Sequence, residues 1–117
     1  MISPSQRTLK RLRGDSTEDL LAFQIKAAKL PEPVRQYRYV PWRRLKADFA
    51  WPDQSLLAEV QGGIFTRQAH GSIKGVLADI DRLNAATMAG WRLLRVTPAM
   101  IKDGTALILI EGALHGV

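Results

Sequence analysis

The stretch from Lys46 to Gly63, KADFAWPDQSLLAEVQGG, constrains the fold of this chain more than any other. Two runs rich in aliphatic and aromatic residues, Lys46 to Trp51 and Leu56 to Gln61, flank a polar turn, which is the pattern of a β-hairpin. With Asp53 and Gln54 at the centre of the turn, Trp51 faces Leu56 and Asp48 faces Glu59. Directly opposed residues have Cβ atoms about 4.5–5.5 Å apart, and like charges there are destabilising. At an effective dielectric of about 20 the repulsion is on the order of 3 kcal/mol. A divalent cation reverses its sign, because Mg²⁺ takes one or two carboxylates and keeps other positions for water and phosphate. Gln61 lies two residues past Glu59, hence on the same face of the strand. On a solvent face the two acids also coexist cheaply without an ion.

Around this hairpin the punctuation is clear. A helix is expected from Ser16 to about Leu30, ended by Pro31 and Pro33, with Leu21, Ile25 and Ala28 on one apolar stripe. Glu18 falls at the N-terminal edge of that stripe, where it can approach the strands as a further acid. Tyr37 to Val40 reads as a short strand. From about Ile73 to Met88, Val76, Leu77, Ile80, Leu83 and Thr87 repeat at helical spacing, and Gly90 supplies a C-terminal cap. WRLLRVT reads as a strand, Pro98 as the first position of a short helical turn, and TALILIEGAL as a closing helix. The passage from the third strand to WRLLRV has the length of a βαβ crossover, so those two strands are expected to be parallel. The fold class is therefore α/β, a mixed sheet with helices on its faces in the order αβββαβ.

The chain's 117 residues suffice for one domain. Residues 1–14, MISPSQRTLKRLRG, form a basic N-terminal arm and residues 15–117 the domain. The arm lacks the apolar segment of a signal peptide and no run is long enough to cross a membrane, so a cytoplasmic protein without membrane contact is expected. There are no cysteines, so a metal has to be held by oxygen or imidazole ligands, and His70 and His115 are the two histidines. Seventeen Lys and Arg against eleven Asp and Glu give a net charge of +6, which favours a polyanionic partner, nucleic acid first. In VRQYRYVPWRRLK, Arg35, Arg38, Arg43, Arg44 and Lys46 alternate with Tyr37, Tyr39 and Trp42, the residue types of phosphate contact and base stacking. Trp42 leans towards DNA contact, whereas Trp51 and Trp91, in strands, read as core. Asp79 and Arg82 read as an ion pair on the helix surface. His70, in the polar loop FTRQAHGS, is a candidate acid–base group or phosphate contact.

These residues resemble the PD-(D/E)XK nuclease superfamily, whose signature is an Asp on one strand and (D/E)-x-K on the next; here it reads Asp48 and Glu59-Val60-Gln61. RLKADFAWPDQSLLAEVQGG, DIDRLNAATMAGWRLLRVTP and EDLLAFQIKAAKLPEP are similar to small, often phage-borne nucleases related to the very-short-patch-repair endonucleases. Asp79, Arg82, Asn84, Gly90, Trp91 and Arg95 match that group's helix and Gly-Trp strand, and the likeness covers roughly residues 18–112. The resemblance implies a restriction-endonuclease-like core and metal ligands at Asp48 and Glu59, joined by the Val60 carbonyl. It also implies an auxiliary acid at Glu18, a histidine near His70, and Mg²⁺ (or Mn²⁺) as cofactor. The chain departs from the pattern at Gln61, which stands where the family has lysine; Lys46 and Arg95 are candidate substitutes for the missing charge.

The expected function is a Mg²⁺-dependent DNA endonuclease, with nicking, restriction-like cutting and junction resolution all open. Two symmetric cuts need a homodimer, for which TALILIEGALH offers an apolar surface. The competing expectation is a catalytically inactive nuclease-fold protein that binds DNA or inhibits another protein.

Overall fold

The computed structural model describes residues 16–61 and 72–116; the basic arm and His70 lie outside the described residues. Helix α1 (Ser16–Ala27) leads into strand β1 (Val34–Arg38). The hairpin follows as β2 (Lys46–Trp51) and β3 (Leu56–Val60), joined by a 3₁₀ turn at Pro52–Gln54. Helix α2 (Ile73–Met88) crosses to β4 (Arg92–Val96), and two helices close the chain, α3 (Pro98–Asp103) and α4 (Thr105–Leu114).

The strands form one four-stranded mixed sheet in the order β1-β2-β3-β4, antiparallel except for the parallel β3–β4 pair. The crossover length thus gave the right strand direction. The first strand lies earlier than the sequence suggests, at Val34–Arg38, and Tyr39 and Val40 leave the sheet to pack as a buried corner.

Helices cover both faces of the sheet. On one, Leu21 and Ile25 of α1, Ile101 of α3, and Ala106, Ile110 and Leu114 of α4 pack on Phe49, Trp51, Leu56, Ala58 and Val96. On the other, Ala86 of α2 joins Tyr39, Val40, Ala47, Ala50 and Leu57. Trp51 and Trp91 are built into this framework, their indole N–H groups donating to the carbonyls of Pro31 and Tyr39 at 2.7 and 3.0 Å. The inner side of α4 is therefore occupied by core, leaving Ile108 and Leu109 outward.

Local chemistry explains the ends of these elements. Ser55 closes the hairpin in the left-handed conformation at φ 49°, its N–H donating to the Pro52 carbonyl. The Ser72 and Thr97 hydroxyls accept from the backbone N–H groups of Gly75 and Met100, capping α2 and α3 where the first-turn donors have no helical partner.

Phe49 is fully buried at the centre of the larger cluster. Phe49→Ala is expected to destabilise the fold by about 3–5 kcal/mol, through lost burial and the cavity left behind. Urea unfolding checks this as a lower midpoint with an unchanged slope.

Candidate active site

The hairpin register places Asp48 and Glu59 at neighbouring strand positions, but the regular pairing stops one step short of them, at Phe49–Ala58. Beyond it the Asp48 side chain replaces the backbone ladder, Oδ2 accepting the Val60 N–H at 2.8 Å. The ladder on the other side of β2 is also interrupted here. Val34–Ala50 and Arg35–Phe49 pair on one side of the break and Tyr37–Ala47 and Arg38–Lys46 on the other, with Gln36 and Asp48 skipped between them. The register is the same on both sides, so no residue is inserted; the pairing alone is interrupted. At the interruption Gln36 has φ at 51°, a left-handed conformation that costs a non-glycine residue about 1–2 kcal/mol.

Gln36 repays that strain through its side-chain amide. Nε2 donates to Asp48 Oδ1 at 3.2 Å and to Glu18 Oε1 at 3.1 Å, joining the β2 acid to the α1 acid. Glu18 also accepts from Arg35 at 3.0 Å, and the Arg35 guanidinium lies over the Phe49 ring, 4.8 Å from its centroid.

Glu59 has different company. It is the one buried charged residue among those described, with 5% of its surface exposed. Parallel pairing sets Arg95 beside it in the sheet, and α2 brings Arg82 over it. Arg82 Nη2 donates to Glu59 Oε1 and, at 2.9 Å, to the Lys46 carbonyl; Arg95 Nε lies 3.8 Å from Oε2. Burial works against the Arg82 cation, but the charge of Glu59, its hydrogen bond and the more distant Asp48 raise the guanidinium's pKa. The helix-surface pairing of Asp79 with Arg82 read from the sequence is corrected here. Asp79 pairs with Arg95 Nη1 at 3.1 Å, and Arg82 turns inward to Glu59.

The like-charge conflict inferred from the hairpin is thereby relieved without an ion. Arg82 and Arg95 offset Glu59, while a backbone N–H and an amide satisfy Asp48. The two carboxylates have no hydrogen-bond partner in common: those of Asp48 come from β1 and β3, those of Glu59 from α2. Among the described residues no group of three or more His, Asp or Glu side chains is spaced to hold a metal, so Glu18 stays one amide away from Asp48 rather than joining the other acids. Gln61 is half-buried, its backbone N–H donating to the Val96 carbonyl at 2.8 Å.

Several polar atoms at this site lack hydrogen-bond partners among the described residues: Arg95 Nε and Nη2, and the Tyr39 hydroxyl, all buried. Burial raises the Tyr39 pKa above its ordinary value of 10.0, only partly opposed by the nearby arginines. Of the residues expected to touch DNA, Arg35 pairs with Glu18 and Asp19, and Arg43 with Asp81. Arg38 donates to the Arg43 carbonyl at 2.6 Å, while Arg44, Lys46 and Trp42 are exposed, Trp42 at 75%.

Sequence reasoning missed two contributors. Nothing in the residues marks Gln36 as left-handed. The sequence pairs Arg82 with the wrong acid, although the expected parallel pairing of β3 with β4 signals that Arg95 neighbours Glu59. No family model matches the chain, and no curated protein or solved structure matches it.

Arg82→Met is expected to destabilise the fold by about 1–3 kcal/mol, the cost of leaving a buried charged acceptor without its donor, with Arg95 limiting the loss. Glu59→Leu added to it should recover part of that loss, and a double-mutant cycle by urea unfolding reads the coupling. Tyr37→Phe leaves Tyr39 as the single tyrosine. Its ultraviolet titration should have a midpoint above 10, because burial favours the neutral phenol. The corresponding contribution to stability is complete below the unfolded-state value and lost as pH rises through the folded-state one.

Proposed function

We propose that this chain is a metal-dependent DNA endonuclease with a restriction-endonuclease-like core, acting at the Asp48–Glu59 strand ends. One observation carries the reading: Asp48 bonds through its carboxylate to the β3 backbone at Val60, directly beside buried Glu59. Two carboxylates from adjacent strands suit Mg²⁺ or Mn²⁺, which binds few protein oxygens and keeps waters. Asp48 and Glu59 would hold the ion, with the Val60 carbonyl as a third oxygen. When bound, it supplies Lewis acidity and lowers the pKa of its water.

The chain's own residues supply the rest. The Arg95 Nε and Nη2 groups, buried and without hydrogen-bond partners among the described residues, would donate to a scissile phosphate once the site opens to it. Arg82 brings positive charge to Glu59, two residues before the position where the resembling family keeps a lysine, whereas Lys46 is exposed. Gln61 offers an amide that orients water without adding charge. Arg38, Arg44, Lys46 and Trp42 are accessible to the DNA backbone and bases, and the net charge of +6 favours the encounter.

A second reading has its own support. Glu59 is already matched by Arg82 and Arg95, the condition of a site that needs no ion, and this favours an inactive nuclease-fold protein that binds DNA or another protein. Incubation with plasmid, linear duplex, single strand and a four-way junction separates the two. The nuclease reading expects cutting in Mg²⁺ or Mn²⁺, none in EDTA, and a loss of about 10²-fold or more in Asp48→Ala and Glu59→Ala. Cutting that survives EDTA overturns the metal assignment. Salt-sensitive binding without cutting, and no Mn²⁺ uptake by calorimetry, leaves the second reading standing.

A further inference from the structure

The apolar repeat that marks α2 in the sequence is not the face it turns to the sheet. Towards the sheet lie Gly75, Asp79, Arg82, Ala85 and Ala86, small or charged residues that are buried or half-buried. The large residues point away: Ile73, Val76, Leu77, Ile80 and Leu83 are between 45% and 78% exposed and recur at i, i+3, i+4, i+7 and i+10. Thr87 continues the stripe, and Met88, 87% exposed, lies at its end.

A helix that presents its strongest apolar stripe to water loses the main source of helical stability in proteins. The exposed side chains present on the order of 500–700 Å² of apolar surface, against the few hundred expected of a monomer and the ~800 Å² per partner of a standard interface. The charges beside the stripe show what kind of partner fits. Lys74 and Asp81 lie on the same flank, seven residues apart, and their midpoint falls at Leu77–Ala78, the centre of the span from Ile73 to Leu83. A two-fold axis through that midpoint pairs α2 with an antiparallel copy of itself. It stacks the stripes and sets Lys74 beside Asp81 of the partner subunit, twice over; that carboxylate already accepts from Arg43 of its own chain and keeps 55% of its side chain exposed for a second cation.

We propose that the outer face of α2 is a self-association surface, occupied by α2 of a second copy in an antiparallel two-fold dimer. This surface is on the crossover helix rather than on the C-terminal helix favoured by the sequence. The inference stands independently of any nuclease activity.

Sedimentation equilibrium of the full chain tests it, beside Leu77→Glu, Ile80→Glu and, as a control on α4, Ile108→Glu. The wild type and Ile108→Glu should be dimers, and each α2 variant should weaken the dimer by roughly tenfold or more. The α2 variants should keep the wild-type circular dichroism, since the altered side chains are not in the core. Lys74→Glu and Asp81→Lys should each weaken the dimer, and the two together should restore part of the loss, the remainder being the bond from Arg43 that Asp81→Lys gives up. A wild type that stays monomeric at about 100 μM overturns the proposal, as does a dimer that survives both stripe substitutions. Monomers throughout, with Leu77→Glu and Ile80→Glu lowering the melting temperature, would instead assign the stripe to another segment of the same chain.

Discussion

A buried carboxylate has to be matched by positive charge and hydrogen bonds, because desolvation costs several kcal/mol per ion. Glu59 is that group, and three elements meet on it. It belongs to β3, Arg95 comes from β4, and Arg82 comes from the crossover helix that joins the two strands. Arg82 also donates to the Lys46 carbonyl, so the same guanidinium fastens β2 to the cluster. With its sheet-facing side made of small residues, α2 has little apolar area with which to grip the sheet. Its hold depends in part on this ionic contact and on Asp79–Arg95.

Opposite this ionic cluster, the interruption at Gln36 and Asp48 solves a different problem. Where the β2–β3 ladder ends, the Asp48 carboxylate accepts the β3 backbone N–H in place of a carbonyl. The β1–β2 pairing skips Gln36 and Asp48, and Gln36 takes the left-handed conformation. Its amide then holds Glu18 and Asp48 on a single donor group, and Arg35 matches the charge of Glu18. The outcome is a row of carboxylates from α1 through β2 to β3, the first two sharing the Gln36 amide and the third matched by arginines. Such local strain, stabilised by the surrounding packing, is common at functional sites.

The stability of this arrangement and its proposed chemistry make different demands on the same arginines. As a structural device, the Arg82–Glu59 pair is complete. As a catalytic site it needs an acid free enough to take an ion and a cation free enough to meet phosphate. Arg95, though paired with Glu59 and Asp79, keeps Nε and Nη2 without a hydrogen-bond partner among the described residues. Arg82 would be the residue that changes roles between the two states.

Much of the architecture was legible in the sequence, because periodicity and turn chemistry are local. Strand alternation, the polar turn and the proline and glycine stops located the hairpin, the helices and the parallel crossover, and the turn fixed the register that aligns Asp48 with Glu59. Helical spacing also revealed the stripe on α2, but a period says only that residues share a face, not what that face meets. Which arginine neutralises Glu59 depends on how far α2 rotates over the sheet, and Asp79 and Arg82, three residues apart, are equally good partners for each other until that rotation is set. The left-handed turn at Gln36 is likewise invisible in a residue type that rarely adopts it. The chain by itself determined the elements and their register; only the tertiary structure decided the partners of its charges and which apolar face remains outside, because both follow from packing between elements distant in sequence.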